Sequence, residues 1–173
     1  MPNPPQQTVR LHLKVLVEPT SFTLAQMVDG MRQVYEANGI GVEIAGTERL
    51  NLPGLEDVEV GECRMGMVTQ EQRQLFANRG GAAATDVCVY FVRSTVPPLN
   101  GCAAHPDGQP AAVVVRSASR WTLGHEVGHV LGLRHVSSTD RLMTGGGTGG
   151  ITNAPPDLVQ SEIDTMLASP FTR

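Results

Sequence analysis

Long apolar runs and basic clusters are both missing from this chain. None of its apolar stretches approaches the roughly 20 residues that a membrane-spanning helix needs. The formal net charge is −4 and Lys14 is the single lysine, so neither a membrane nor a nucleic acid is an expected partner. The N-terminus also lacks the basic and apolar segments of a signal peptide. We therefore expect either a cytoplasmic protein or the mature form of a secreted one.

Cysteine is scarce, and its number is odd. Cys63, Cys88 and Cys102 are the three cysteines of the chain. None of them belongs to a CxxC pair, so a cysteine-based zinc cluster is not expected. The sequence leaves open one disulfide with one free thiol, or three reduced thiols.

Alternation and helical spacing predict a sheet with helices. Apolar and polar residues alternate over residues 9–17 and predict a strand with one buried face. His12 and Lys14 lie on the other, polar face, which we expect to be exposed. A helix follows, with Ser21 as its N-cap and Asn38-Gly39 at its end, and then a strand at 40–44. This order favours two parallel strands joined by a crossover.

The rest of the chain completes a mixed sheet in a single predicted domain, 1–173, with a flexible lead-in at 1–7. Further predicted elements are a short strand near 58–60, a helix at 69–78 with a Thr69–Gln72 capping box, a central strand at 86–94, a strand at 111–115, a helix after Ser117 or Ser119 and a last helix at about 157–168. The stretches 96–110 and 144–153 are rich in glycine or proline and predict loops.

The stretch HEVGHVLGLRH, residues 125–135, carries candidate metal ligands. His125 and His129 are four residues apart, so on a helix they share one face and reach one ion. Neutral imidazole suits zinc, and a catalytic zinc site needs three protein ligands. Glu126 adjoins the first ligand, where it can act as a general base on a zinc-bound water without binding the metal.

A straight helix cannot present His135 to the same ion. Gly132 lies three residues after His129, and glycine lets the chain turn sharply with a positive φ. HExxH alone is common by chance, but HExxHxxGxxH specifies five positions with a mechanical role for each. We therefore predict that His125, His129 and His135 bind one catalytic Zn²⁺.

This motif, followed by Leu142-Met143 eight residues after His135, resembles the metzincin zinc metalloproteases and is most similar to their matrixin-like branch. The resemblance implies an α+β, metzincin-like (zincin) fold: a mixed twisted sheet, an active-site helix, a Met-turn and a C-terminal helix. It implies an upper part up to about residue 135 and a lower part at 136–173. It also implies that Met143 forms the hydrophobic floor beneath the zinc.

Several positions depart from the matrixin pattern. Val136 stands where matrixins usually carry Ser, and Thr144-Gly145 where they usually carry Tyr-Pro. The matrixin loop with structural metal ligands is mostly missing, and His105 and Asp107 resemble it only faintly. A structural calcium ion or a second zinc ion is therefore not expected. We expect a small, divergent, bacterial-type metzincin.

The resemblance implies a zinc metalloendopeptidase that acts on extended or unfolded peptide segments, with Glu126 as general base. Two alternatives stay open: a zinc-binding, non-catalytic metzincin-like protein, and a hydrolase of a non-peptide amide. The strand at 111–115 is expected to pair with substrate, and the glycine-rich segment after Met143 to line the specificity pocket. An inhibitor or a pro-segment is a further candidate partner, and Cys102 a candidate for latency through the zinc.

Overall fold

The computed structural model describes residues 4–173. The elements are β1 (Gln7–Val15), α1 (Leu24–Ala37), β2 (Ile40–Arg49), β3 (Asp57–Glu59), α2 (Gln70–Phe76), β4 (Val87–Val92), β5 (Ser94–Val96), β6 (Gly101–Cys102), β7 (Ala111–Val115), α3 (Thr122–Val130) and α4 (Gln160–Leu167), with 3₁₀ turns at Pro53–Leu55 and Thr148–Gly150. Within these residues, no helix is both long and apolar enough to cross a membrane.

The main sheet has five strands in the order β2-β1-β4-β7-β6. Its first four strands are parallel, and β6 runs antiparallel to β7 at one edge. The strands β3 and β5 form a separate parallel pair. The predicted mixed sheet, the parallel β1–β2 pair and the central position of β4 are therefore confirmed. Every residue of β4 is buried, in keeping with its continuous apolar sequence.

The helices α1 and α3 pack against each other, and each also contacts the sheet, α1 at β2 and α3 at β7. The Tyr35 hydroxyl of α1 donates a hydrogen bond of 2.7 Å to the carbonyl oxygen of Gly124 in α3. A Cβ atom at Gly124 would lie 3.5 Å from the Tyr35 ring and from Met31. The start of α3 is therefore held closely against α1.

Two predicted helix caps were wrong. Thr23 caps α1 instead of Ser21, because its hydroxyl accepts from the backbone N–H of Gln26 at 3.1 Å in a capping box. The helix α3 has no side-chain cap, and Ser119 instead accepts from the backbone N–H of Trp121. The capping box at Thr69 and the end of α1 at Asn38-Gly39 are confirmed.

The sequence predicted a loop over the whole stretch 96–110. This prediction was wrong in part, because the stretch contains the two-residue strand β6. β6 is too short to show an alternating pattern in the sequence. The predicted strand at 111–115 is confirmed as β7. Because β6 pairs with it, β7 lies between β4 and β6 and is not the edge strand. The backbone at Val113 and Val114 is therefore already paired on both sides, and β6 forms the edge of the sheet at this point.

The polar residues of β1 are buried, which corrects the predicted exposed face. His12 is 7% exposed and Lys14 is 2% exposed. The Lys14 ammonium donates to Glu48 at 2.5 Å and to the Gly80 carbonyl oxygen at 2.8 Å. His12 Nε2 lies 3.0 Å from the Asp86 carboxylate. The alternation of β1 therefore reflects buried polar partners and not solvent.

Asp86 is the centre of this buried network, with only 1% of its side chain exposed. It accepts from the backbone N–H of Ala83 at 2.9 Å and from Arg173 at 2.8 Å. Burial raises the pKa of Asp86, but the hydrogen bonds from Ala83, His12 and Arg173 outweigh burial and bring the pKa below its ordinary value. The charged carboxylate therefore stabilises the folded state.

We expect Asp86→Asn to lower the free energy of unfolding by about 1–3 kcal/mol at pH 7, because charged hydrogen bonds within the core are weakened. The lowered pKa provides stability above the unfolded value of about 3.9, and this stability is lost as the pH falls through the folded value. Urea unfolding at pH 7 and at pH 3 measures the difference, which should shrink at the lower pH. The exposed Asp29→Asn is the control, and an equal loss at both pH values would contradict the assignment.

Candidate metal centre

The helix α3 presents two histidines on one face. His125 and His129 are one turn apart, and their Nε2 atoms are separated by 3.2 Å. Each ring is oriented through its other nitrogen: His125 Nδ1 lies 2.7 Å from the Leu142 carbonyl oxygen, and His129 Nδ1 lies 2.8 Å from that of Leu133. The two rings are therefore held by backbone acceptors that come from outside the helix.

Gly132 lets the third histidine reach the first two. The helix ends at Val130, and Gly132 has φ +105°, a conformation that favours glycine. The N–H of Leu133 returns to the Gly128 carbonyl oxygen at 2.9 Å. This turn brings His135 Nε2 to 3.2 Å from that of His125 and to 3.0 Å from that of His129.

The separation of the three Nε2 atoms fits zinc. Zn–N bonds of about 2.0–2.1 Å in a tetrahedral arrangement place the ligand nitrogens about 3.3–3.4 Å apart. The observed 3.0–3.2 Å is close to this value. Within residues 4–173, His125, His129 and His135 form a group that can hold a metal ion, and Glu126 does not belong to it.

The protonation of the rings also calls for a cation. A carbonyl oxygen only accepts hydrogen bonds, so Nδ1 of His125 and of His129 must each carry a proton. In the neutral rings both Nε2 atoms are then bare lone pairs that face each other. Burial lowers the pKa of His125 to about 4 and also lowers that of His129. A metal ion held by the three histidines would satisfy these lone pairs.

Met143, the predicted Met-turn residue, packs against α3. Its side chain is fully buried, and its carbonyl oxygen accepts from the N–H of Val136 at 2.9 Å. A Cβ atom at Gly128 would lie 2.8 Å from the Met143 sulfur. The glycine inside HEVGH is therefore needed for close packing, a role that the sequence analysis missed although the residue stands in the motif.

Glu126 faces the same cleft as the histidines and is 6% exposed. Burial raises the pKa of Glu126 to about 8. A Cβ atom at Gly101 would lie 2.8 Å from a Glu126 carboxylate oxygen and 2.7 Å from the Val113 carbonyl oxygen. The edge strand therefore needs glycine at this point to leave room for the carboxylate.

The cleft around these side chains has a volume of about 1020 Å³. Its upper rim consists of residues 62–65 and 99–103, and its lower rim of residues 144–148. A disulfide joins Cys63 to Cys102, and Cys88 is a buried free thiol. This decides between the two cysteine alternatives, and it removes Cys102 as a free thiol for latency.

His105 lies apart from this centre. Its ring packs edge-on against Phe171 with the centroids 6.3 Å apart, and its Nδ1 lies 2.9 Å from the Pro106 carbonyl oxygen. Within the part of the chain that the structure describes, neither His105 nor Asp107 belongs to a group of metal-ligating side chains.

No family model and no curated protein matches this chain, but solved structures match its fold. Metalloproteinase-II from Bacteroides fragilis matches with a TM-score of 0.67 and 16% identity over 95% of this chain. The chain spans about half, 54%, of that protein. Archaemetzincin from Archaeoglobus fulgidus matches with a TM-score of 0.50 and 15% identity, covering 90% of this chain and 99% of its own. A chain from a chaperone-substrate complex matches with a TM-score of 0.53 and 16% identity, covering 92% of this chain and 34% of its own.

The fold is metzincin-like. At these identities the likeness extends to the fold and to no finer property, so the matrixin-like branch stays a prediction. The mostly parallel sheet and the helices of this chain agree with the fold that the zinc motif implied.

We expect the protein to bind one Zn²⁺ per chain and His129→Ala to weaken binding at least 100-fold, because two imidazoles do not complete the site. Competition with a chromogenic chelator measures the affinity. His105→Ala is the matched control, since it removes a buried histidine outside the cluster. Unchanged affinity in His129→Ala would contradict the assignment of the ligands.

Gly132→Ala should weaken zinc binding as well as stability, because alanine at a φ of +105° strains the turn that positions His135. Gly39→Ala is a matched control, with a φ of +78° and open space around its Cβ position. Thermal unfolding and chelator competition separate the two effects. Both variants should lose about 1 kcal/mol or more of stability, and equal zinc affinity in the two would show that Gly132 does not position the ligand.

Proposed function

We propose that the protein is a zinc-dependent metalloendopeptidase of the matrixin-like branch, with Glu126 as general base. One observation carries the proposal: three imidazole Nε2 atoms converge in an open cleft, next to a buried carboxylate that does not belong to the group of metal-ligating atoms. A purely structural zinc site is closed by four protein ligands, whereas a catalytic site keeps one position open. The three-histidine set therefore supports catalysis.

The bound zinc would be held by His125, His129 and His135, and would supply a Lewis acid that acidifies water and polarises a carbonyl group. A Glu126 oxygen accepts a proton from the attacking water, whose oxygen forms a bond to the carbonyl carbon. The C–N bond then breaks, and Glu126 delivers the proton to the leaving nitrogen. Glu126 is buried in the cleft next to the three histidines, which suits a group that takes up a proton and returns it.

The edge strand β6 is our proposed binding surface for the backbone of an extended peptide. It pairs with β7 on one side and ends the main sheet on the other. Its Gly101 touches Glu126, so a peptide paired along this edge would pass the carboxylate. Addition of a strand to a sheet edge recognises backbone and requires an extended, unfolded or loop segment.

Of the two alternatives, a metzincin-like binding protein without turnover gains no support from the site, since the buried Glu126 carboxyl lines the cleft without belonging to the metal-ligating group. A hydrolase of a non-peptide amide would use the same chemistry, and the choice of substrate in the experiment separates it. The disulfide between Cys63 and Cys102 favours an oxidising compartment, and hence the secreted form.

Glu126→Gln should lower the hydrolysis of an unstructured protein by about 10²–10⁴-fold, because glutamine cannot accept the proton, while zinc binding stays intact. Casein digestion by the zinc-loaded protein, followed by mass spectrometry of the products, measures the activity. A chelator should abolish cleavage by the wild type. Glu36→Gln, on the exposed side of α1, is the control and should keep full activity.

The outcomes separate the three functions. Internal cleavage that depends on zinc and Glu126 supports the endopeptidase. Zinc binding without cleavage of casein or of small amides would favour the binding protein. Turnover of small amides without cleavage of casein would favour the hydrolase of a non-peptide amide. Unchanged casein cleavage by Glu126→Gln would show that another group is the base.

A further inference from the structure

Three hydroxyl groups meet beside the metal centre. Thr148 Oγ1 lies 2.7 Å from Ser119 Oγ and 2.8 Å from Thr122 Oγ1, and the last two are 3.3 Å apart. Thr122 is 1% exposed and Thr148 is 4% exposed, and both line the cleft. We call Ser119, Thr122 and Thr148 the hydroxyl cluster.

The hydroxyl cluster lies in line with the catalytic face of α3. Thr122 precedes His125 by three residues and Glu126 by four, so on the helix it shares their side, one turn nearer the N-terminus. Thr148 comes from the lower rim, which the hydroxyl cluster ties to the start of α3. A side chain that enters the cleft between α3 and the lower rim would therefore meet this cluster.

The lower rim offers no apolar wall. In TGGGTGG, residues 144–150, the two threonines are the residues with side chains, and the other five are glycines. The rim and the first turn of α3 also carry no charged side chain before His125 and Glu126. An apolar side chain placed against the cluster would leave the hydroxyls without water, and a charged one would receive no counter-ion from these two segments, because Arg64 and Arg134 line the cleft elsewhere.

The hydrogen-bond pattern within the hydroxyl cluster determines whether its members donate or accept further hydrogen bonds. A closed ring uses all three hydroxyl protons, one for each oxygen–oxygen contact. Ser119 Oγ also accepts from the N–H of Trp121 at 3.2 Å, which fills both of its acceptor positions. Thr122 and Thr148 each keep one free lone pair. In such a closed ring, the two residues that line the cleft can accept a further hydrogen bond but keep no proton to donate.

We propose that the hydroxyl cluster is the floor of a specificity pocket that selects substrates with an uncharged hydrogen-bond donor, a hydroxyl or carboxamide side chain, next to the scissile bond. This inference rests on the proposed peptidase function and names its substrate class. A carboxylate side chain is disfavoured because the floor offers it acceptors alone.

Matched peptides test the pocket. The substrates are quenched fluorescent peptides that differ at one residue flanking the casein cleavage site. Three pairs of similar shape but different hydrogen bonding are compared: Thr with Val, Asn with Leu, and Gln with Glu. The wild type should prefer Thr, Asn and Gln by about tenfold in kcat/KM, as one buried hydrogen bond implies. Thr122→Val and Thr148→Val should reduce this ratio to below about twofold, whereas Thr122→Ser should keep it.

The ratio separates recognition from a structural role. If the cluster only anchored the lower rim, Thr122→Val and Thr148→Val would lower kcat/KM for all peptides alike and leave the ratio unchanged, which would overturn the inference. Thr47→Val, on an exposed position of β2, should change neither quantity. Zinc content and circular dichroism show whether each variant is folded. If one of the two threonine variants does not fold, the other is enough for the test.

The two proposals fail in different ways. Cleavage by the wild type with equal rates for Thr and Val peptides would overturn the specificity pocket and leave the peptidase standing. A preference for Val or Leu would do the same. No cleavage of any peptide or of casein by the zinc-loaded wild type would overturn the peptidase, and the pocket with it.

Discussion

The convergence of three imidazole Nε2 atoms is the constraint on which this structure depends. They lie 3.0–3.2 Å apart, close to the separation of nitrogen ligands around a tetrahedral zinc ion. The chain fixes this arrangement with backbone groups: the carbonyl oxygens of Leu142 and Leu133 orient His125 and His129, and the turn at Gly132 delivers the third ring. The carbonyl groups of Leu133 and Leu142 and the turn at Gly132 therefore hold the three Nε2 atoms close together.

Two glycines allow close packing around the site, at positions where a Cβ atom would collide with a neighbouring residue. Gly128 leaves room for the Met143 sulfur, and Gly101 leaves room for the Glu126 carboxylate. These contacts join the sheet, the helices and the site, so they leave little freedom to shift α3 without moving the ligands. Close packing of this kind gives the preorganisation that a catalytic site requires.

The sequence predicts what is local. HEVGHVLGLRH predicted the three histidines that the structure brings together and the turn at Gly132, because each follows from helical spacing or from backbone φ. Contacts between distant segments escaped prediction. The burial of Lys14 depends on Glu48 and Gly80, and the pairing of Cys63 with Cys102 spans 39 residues. Alternation in β1 records polarity but does not say whether water or a partner satisfies it.

The two rims of the cleft are held in different ways, and this difference bears on how a ligand would bind. The upper rim is fixed by sheet pairing and by the Cys63–Cys102 disulfide. The lower rim is rich in glycine and is tied to the rest by hydrogen bonds, such as that from the Gly145 N–H to the Val136 carbonyl oxygen and those of Thr148. Ordering of a glycine-rich segment costs conformational entropy, which contacts with the ligand must offset. Affinity should therefore depend more on contacts at the hydroxyl cluster than on those at the rigid upper rim.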